Sequence, residues 1–125
     1  FTDYKDIVET SVRNISLNHF IKKILLSPFL LKPNIHSPFI KKLILSFGDP
    51  IGCPTVTYNS SMLKKFSFSH DYSCILDWAA WYAIASQKGS FYYINKSLML
   101  HRIHTASETS NLIKNGIRKK EEADF

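Results

Sequence analysis

The chain has 125 residues, of which 45% are hydrophobic and 14% aromatic, and sixteen Lys and Arg against ten Asp and Glu give it a net charge of +6. This hydrophobic content argues against intrinsic disorder, and no apolar run reaches the roughly 18 residues of a transmembrane helix. A chain of this length buries one hydrophobic core but not two, so we expect one domain or part of one. Because it opens at Phe1 with no charged and apolar leader, we expect that Phe1 marks a cut in a longer protein.

Two cysteines, Cys53 and Cys74, are too few for a disulfide framework and show no CxxC spacing. We expect both to be buried, reduced thiols of a cytosolic protein. The excess positive charge is spread over lysine pairs along the chain. Spaced pairs indicate ordinary solvated faces, or an anionic partner such as a nucleotide, a phospholipid surface or a nucleic acid.

The first part of the chain is predicted to be mainly helical. Between residues 7 and 31 the apolar side chains recur at helical rather than alternating spacing. Ser37 followed by Pro38 is typical of a capped helix start, and Gly48 stands where a C-terminal glycine belongs. We therefore assign residues 1–46 to a helical connecting region.

The second part is predicted to contain a loop, a short strand, a helix, two strands and a final helix. The loop is GDPIGCP, the strand is TVTYN, and the helix is DYSCILDWAAWYAIASQKG, which ends at Gly89. The two strands are SFYYIN and SLMLHRI, separated by Asn95 and Lys96, and Thr105 with Glu108 forms a capping box for the last helix. This order predicts an α+β fold, or half of an α/β sheet whose other strands lie elsewhere.

Two histidines and an arginine lie close together in LMLHRIHTASETS, at the end of the last predicted strand. Side chains alternate between the faces of a strand, so His101 points away from Arg102 and His104, and a zinc site shared by the two histidines is not expected. Arg102 and His104 can instead meet beside the start of the next helix, where a diphosphate or its metal ion would bind. The alternative is an Arg102 paired with a carboxylate and a half-exposed His104.

Asp77 lies beside the apolar stripe of its predicted helix, close to the helix start. The helix dipole favours the ionised carboxylate there, and such a group in a cleft can take a proton from an attacking hydroxyl. A structural hydrogen bond at the helix start is the alternative. Asp49 belongs to a loop of glycines and prolines that can shape a substrate pocket, and Trp78 either stacks on a sugar or belongs to the core.

Taken in order, FGDPIGCPTVTYN, LDWAAWYAIASQKGSFYYINKSLMLHRIHTASETS and IRKKEEADF resemble the C-terminal half of a family 2 glycosyltransferase with the GT-A fold. That family commonly has a pocket loop, an acidic-aromatic helix start, a strand with the pattern YxxxxLxxxRxH, and an SxT helix start with a basic-acidic tail. The resemblance covers residues 47–124 well. FTDY at the other end resembles the strand before the family's central region, and residues 5–46 match loosely.

This resemblance implies transfer of a sugar, with inversion, from a nucleotide-diphosphate donor to an acceptor hydroxyl on a glycan or glycoprotein. Asp77 matches the general-base position. Arg102 and His104 fall near the donor diphosphate and its divalent metal ion, Mg or Mn, with His104 as a candidate ligand. The acceptor side would be formed by four further residues: Asp49, Gly52, Pro54 and Trp78. Residues 47–125 are accordingly assigned as the acceptor-side catalytic portion.

The sequence departs from the family pattern in two ways. Many members carry a second acidic residue two positions after the base and an arginine later on that helix, where this chain has Ala79 and Ala83. The nucleotide-binding half and its Asp-x-Asp motif precede Phe1 in such enzymes, and this chain contains no Asp-x-Asp. We therefore expect the isolated chain to bind no metal ion and to have little or no activity.

A non-catalytic basic module that binds nucleic acid or protein is the alternative function. The sequence has no RNP, KH or helix-turn-helix pattern, and the lysine pairs are not clustered on one element. We therefore expect no nucleic-acid partner. If the glycosyltransferase hypothesis is correct, we expect a cytoplasmic location with peripheral contact at the inner face of the membrane.

Overall fold

The computed structural model describes residues 1–8, 11–12, 17–61, 63, 66–103 and 108–125. Its strands are β1 (Thr2–Val8), β2 (Ser11–Val12), β3 (Asn34–Ile35), β4 (Phe91–Tyr92) and β5 (Ile94–Ile103). Its helices are α1 (Leu17–Leu25), α2 (Ser27–Leu31), α3 (Pro38–Ser46), α4 (Leu76–Ala85), α5 (Glu108–Lys114) and α6 (Ile117–Asp124), with a 3₁₀ turn at Cys53–Thr55. The predicted α+β class is confirmed.

The two longest strands, β1 and β5, run parallel to each other, and β2 pairs antiparallel with β1. The register sets Tyr4 opposite Met99 and Ile7 opposite Arg102. In a parallel pair the carboxyl ends of both strands lie at the same edge of the sheet. The helical pattern predicted from residue 7 is wrong at its start, because pairing with β5 satisfies the backbone of β1 as far as Val8.

The segment TVTYN, predicted as a strand, contains no strand. It begins in the 3₁₀ turn Cys53–Thr55, and residues 56–59 have no regular structure. The carbonyl oxygen of Gly52 accepts hydrogen bonds from the backbone N–H of Thr55 at 2.9 Å and from its Oγ1 at 2.7 Å. These bonds fold the chain back on itself where the alternating pattern alone indicated extension.

The last two strands are separated at Tyr93, and the predicted break at Asn95 and Lys96 is wrong, since β5 runs through both residues. Tyr93 is buried, and its backbone N–H donates to the carbonyl of Pro33 at 2.8 Å. The next N–H, of Ile94, donates to the carbonyl of Phe1 at 2.9 Å. The chain thus passes at Tyr93 from the small β3–β4 sheet to the larger β2-β1-β5 sheet.

The start of α3 matches its prediction, and the end of α4 does not. The Ser37 hydroxyl accepts a hydrogen bond from the N–H of Ile40 at 3.4 Å, and Gly48 beyond the helix has a φ of 141° that favours glycine. α4 begins at Leu76 and ends at Ala85, so it starts later and ends earlier than the predicted helix from Asp71 to Gly89, and Gly89 lies in the loop that follows it.

The core consists of two neighbouring clusters of buried side chains. One contains Leu26, Phe29, Ile35, Ile44 and Tyr93, and the other contains Leu45, Ile51, Ala80, Trp81 and Ala85. Consecutive residues of α3 enter different clusters, and partly buried Phe1 and Phe91 pack against both. α3 is therefore the element that joins α4 to the rest of the core.

The strand β5 is poorly covered. Leu98 and Leu100 are 65% and 60% exposed, whereas strands of parallel sheets are usually covered on both faces.

In the described part of the chain, no helix is both long enough and apolar enough to cross a membrane.

Candidate functional site

Asp77 lies on a helix near its start, as predicted, and it is half-buried; it is the second residue of α4, because the helix begins at Leu76 and not at Asp71. Its Oδ1 accepts a hydrogen bond from the N–H of Trp78 at 2.9 Å. Ile75 at the N-cap of the helix supplies no capping side chain. The backbone N–H groups at this end therefore need an acceptor from another part of the chain.

Glu121 of α6 supplies that acceptor. Its carboxylate accepts hydrogen bonds from the N–H groups of Ser73 at 2.8 Å, Cys74 at 2.8 Å and Ile75 at 3.1 Å. A negative charge at a helix N-terminus also interacts favourably with the helix dipole. The last helix of the chain thereby fixes the start of the helix that carries Asp77.

Asp49, on the loop after α3, lies near enough to Asp77 for their charges to interact. Burial raises the pKa of Asp49 to about 7, and the negative charge of Asp77 is the second cause. Three weaker influences lower the pKa of Asp49. They are a 3.0 Å hydrogen bond from the N–H of Ile51 to Asp49 Oδ1 and the positive charges of Lys22 and Arg118. Asp49 is consequently able to gain or lose a proton near neutral pH.

The loop that carries Asp49 packs against the large sheet. The 3₁₀ turn at its end contacts both β1 and β5. A Cβ atom added to Gly52 would lie only 2.7 Å from Cε1 of Tyr4, a residue of β1. The hydroxyl of Tyr4 accepts a 2.7 Å hydrogen bond from Lys22 Nζ. Glycine is therefore required here by a close approach, while Pro54, the other loop residue singled out from the sequence, is exposed.

Trp78 has a structural contact that the sequence left open. Its Nε1–H donates to the carbonyl of Leu45 at 2.8 Å, which ties α4 to the end of α3. Its ring lies 5.0 Å from that of Phe125, and Tyr72 and Tyr82 also pack against Phe125. The indole N–H is thus used within the fold, and the ring belongs to an aromatic cluster around the end of α6.

Arg102 lies at the carboxyl end of β5 and is exposed. Among the described residues no carboxylate lies within ion-pair distance of Arg102, so the alternative in which it is paired has no support there. His101, the residue before it, approaches Asp6 of β1 with Nδ1 and Oδ1 3.1 Å apart. His104, Thr105 and Ser107 lie outside the described residues.

No group of three or more His, Cys, Asp or Glu side chains that could hold a metal ion occurs in the part of the chain that is described. The metal ion expected beside His104 therefore has no ligand set among these residues, and Arg102, as a permanently cationic side chain, is not a ligand.

The two cysteines are free, but the prediction that both are buried is wrong: Cys53 is exposed and Cys74 is half-buried. Cys53 is the first residue of the 3₁₀ turn, and Cys74 precedes α4. The pKa of the Cys53 thiol is raised by desolvation and then by the negative charges of Asp77 and Asp49. This effect disfavours a reactive thiolate at Cys53.

A cavity of about 450 Å³ lies beside the second half of α4. Its walls include Lys41, Ile51, Trp81, Lys88 and Phe91. Neither Asp49 nor Asp77 lines the cavity, so the cavity is separate from these two carboxylates. No pattern in the sequence indicates either the cavity or the burial of Lys41, since both result from contacts between distant segments.

The structure thus brings Asp77, Asp49 and the Gly52 loop together, and it puts Arg102 at the edge of the sheet against which that loop packs. No family model matches this chain, nor does any curated protein or solved structure.

Proposed function

We propose that this chain is the acceptor-side portion of an inverting glycosyltransferase, which moves a sugar from a nucleotide-diphosphate donor to an acceptor hydroxyl. The observation that carries the proposal is the proximity of Asp77 and Asp49 at the start of α4, with the pKa of Asp49 raised to about 7. In a pair of carboxylates with different environments, one can hold a proton while the other is ionised, and the ionised group is then available as a general base.

In the proposed reaction Asp77 accepts the proton of the acceptor hydroxyl while the oxygen attacks the sugar carbon. Ala79 occupies the position where a supporting acidic residue is common in the family that the sequence resembles. Asp49 provides a second carboxylate from a different element, the loop after α3. Base catalysis needs an ionised carboxylate beside the acceptor hydroxyl, and Asp49, which can gain a proton near neutral pH, can share the proton that Asp77 receives.

Arg102 is proposed to bind the diphosphate of the donor. In open sheets with parallel strands, ligands bind beyond the carboxyl ends of the strands. Arg102 is at that end of β5, opposite Ile7 near the end of β1, and has no acidic partner among the described residues. A free guanidinium can neutralise the charge that develops on a leaving diphosphate. His104 is retained as its proposed neighbour.

The uncovered faces of β5 support the view that further structure belongs on this sheet. Exposed Leu98 and Leu100 would be buried by additional strands or helices, such as the nucleotide-binding half that precedes the acceptor half in this family. The divalent metal ion remains part of the proposal for the complete enzyme and would assist departure of the diphosphate. The isolated chain is accordingly proposed to be inactive.

Peripheral contact with a membrane surface from the cytoplasmic side is proposed as a secondary property. Leu31 and Phe39 are 92% and 74% exposed on neighbouring helices, with Lys32 and Lys42 nearby in the sequence. Exposed apolar side chains next to lysines suit the interface of an anionic bilayer. Co-sedimentation with vesicles that contain phosphatidylglycerol, compared with phosphatidylcholine vesicles, tests this point.

The alternative of a basic nucleic-acid module has less support. Lys22 donates to Tyr4, Lys23 pairs with Asp3 at 2.7 Å, and Lys41 is buried. These contacts reduce the number of lysines able to reach phosphates. Binding to arbitrary DNA or RNA that weakens steeply with salt would revive this alternative.

The decisive experiment uses the protein with its upstream residues and a panel of nucleotide-diphosphate sugars with Mg or Mn, and it follows release of the nucleoside diphosphate and labelling of acceptors. Asp77→Asn should abolish transfer while donor affinity, measured by calorimetry, stays nearly unchanged. Asp124→Asn, on an exposed residue of α6, is the matched control and should retain activity.

Transfer that survives in Asp77→Asn would exclude Asp77 as the base. Failure of the upstream-extended protein to turn over any donor in the panel would count against the function itself. Efficient transfer by residues 1–125 alone would contradict the proposal that the isolated portion is inactive.

A further inference from the structure

The cavity beside α4 has walls of one charge sign. Among the described residues that line it, none is acidic, while Lys41, Lys88 and His36 are basic. Its volume of about 450 Å³ lies in the range of small-molecule sites. The charge of its walls therefore favours an anionic occupant over a neutral or cationic one.

Lys41 is the unusual group in this cavity. Its side chain is 1% exposed, and its Nζ donates to the carbonyls of Gln87 and Gly89, both at 3.1 Å. No carboxylate lies within ion-pair distance of Lys41 among the described residues. A buried ammonium with only neutral partners is costly, and it has three hydrogens, of which two are occupied. A ligand anion would offset this cost.

The remaining walls are suited to an apolar, flat molecule. Three aromatic residues, Trp81, Phe91 and Tyr92, belong to the lining, together with the aliphatic residues Ile51 and Ile84. Phe91 lies 5.1 Å from Lys41 Nζ, so an aromatic face and the positive charge adjoin each other. Lys88 adds an exposed positive charge to the wall.

We propose that this cavity binds a planar, apolar carboxylate, with Lys41 as the charge partner of the carboxylate and the aromatic walls around the hydrophobic body. The inference goes beyond the glycosyltransferase proposal and does not depend on it, because neither Asp77 nor Asp49 lines the cavity. If Lys41 acts only as a structural cap for the loop after α4, the cavity has no preference for anions, and this difference can be measured.

The test compares 2-naphthoate with its uncharged analogue 2-naphthalenemethanol by isothermal titration calorimetry on the 125-residue chain. The naphthoate is expected to bind with 1:1 stoichiometry and at least about tenfold more tightly, as for a hydrogen bond to a buried charged group. Equal affinity for the two probes, or no binding of either below about 1 mM, would overturn the proposal.

Two exposed lysines provide matched charge reversals. Lys88→Glu, at the cavity, should weaken naphthoate binding about fivefold and leave naphthalenemethanol binding unchanged, whereas Lys96→Glu on β5 should affect neither. Equal effects of the two reversals would show that net charge, and not the cavity, determines binding.

Lys41→Met removes the proposed charge partner and should abolish the preference for the anion if circular dichroism shows that the variant folds. Ser90→Trp provides a test that does not alter the core, because Ser90 is exposed and lines the cavity. It should block both probes. Unchanged binding in Ser90→Trp would place the probes elsewhere and would contradict the proposal.

Discussion

The carboxylate of Glu121 accepts a 2.8 Å hydrogen bond from the backbone N–H of Cys74, 47 residues earlier in the chain. The N–H groups of Ser73 and Ile75 donate to the same carboxylate. A capping residue usually belongs to the helix that it caps, but here α6 caps α4. The position of Asp77 therefore depends on a helix at the opposite end of the chain.

We predict that Glu121→Ala lowers the free energy of unfolding by about 1–2 kcal/mol at pH 7, since it removes a helix cap and leaves backbone donors without their acceptor. Urea denaturation followed by circular dichroism measures the change. Asp124→Ala, one turn further along α6 and exposed, should change stability by less than about 0.5 kcal/mol. Equal losses in the two variants would show that the cap contributes nothing.

The hydrogen bonds between the Glu121 carboxylate and the start of α4 should also make the stability of the chain depend on pH. Desolvation pushes the pKa of Glu121 up, but the three N–H donors outweigh it, so the pKa lies below its usual value of 4.5. The contribution of the ionised carboxylate is thus complete above pH 4.5 and is lost as the pH falls through the lowered pKa. The difference in stability between the parent chain and Glu121→Gln should shrink towards acid pH. A constant difference from pH 7 to pH 3 would contradict this assignment.

Asp49 should make the free energy of unfolding depend on pH in the opposite direction to Glu121. Its pKa is raised from 3.8 to about 7, so between these values the folded chain holds more protons than the unfolded chain, and the free energy of unfolding falls as the pH rises. Asp49→Asn keeps the Oδ1 acceptor for the N–H of Ile51 and should remove this decline, on the order of 4 kcal/mol. Denaturation midpoints from pH 4 to pH 8 test it, with Asp124→Asn as the control.

The interaction between Asp49 and Asp77 can be measured directly. Asp77→Asn should lower the pKa of Asp49, because the second cause of its elevation is the charge of Asp77. Arg118→Met should raise the pKa of Asp49, because the guanidinium stabilises its carboxylate. Side-chain carboxyl ¹³C shifts give both titrations. If Asp77→Asn left the pKa of Asp49 unmoved, the two groups would not form the proposed pair.

Features determined by neighbouring residues could be predicted from the sequence. The Ser37 cap and the left-handed Gly48 follow from local rules of capping, and a helix that carries Asp77 follows from helix periodicity, although α4 starts at Leu76 and not at Asp71. Strand parity predicts that His101 and Arg102 lie on opposite faces of β5, and this stays a prediction; the contact of His101 with Asp6 follows from the register of β1 and β5.

Features that join distant segments could not be predicted in this way. Lys41 was expected on a solvated face because it belongs to a lysine pair, yet its Nζ reaches carbonyls 46 and 48 residues later. The elevated pKa of Asp49 and the cap supplied by Glu121 have the same origin. No local pattern encodes which two segments will pack together, so a buried lysine and a carboxylate pair become visible only in three dimensions.

The close approach of Gly52 to Tyr4 provides the last prediction. Gly52 has a φ of −72°, so alanine costs no backbone strain there, but its Cβ would meet Cε1 and Cδ1 of Tyr4 at 2.7 and 2.9 Å. The hydrogen bond from Lys22 to the Tyr4 hydroxyl restrains the ring, so Gly52→Ala should lower the free energy of unfolding by about 1–3 kcal/mol.

A double-mutant cycle separates this clash from any other effect of the methyl group. In a Tyr4→Leu background the ring carbons are absent, so Gly52→Ala should cost at least about 1 kcal/mol less than it does in the parent chain. If the two changes add without interaction, the ring is not the obstacle. Because this contact holds the Asp49 loop against β1, a released loop should also show a changed pKa of Asp49, which the same ¹³C titration would detect.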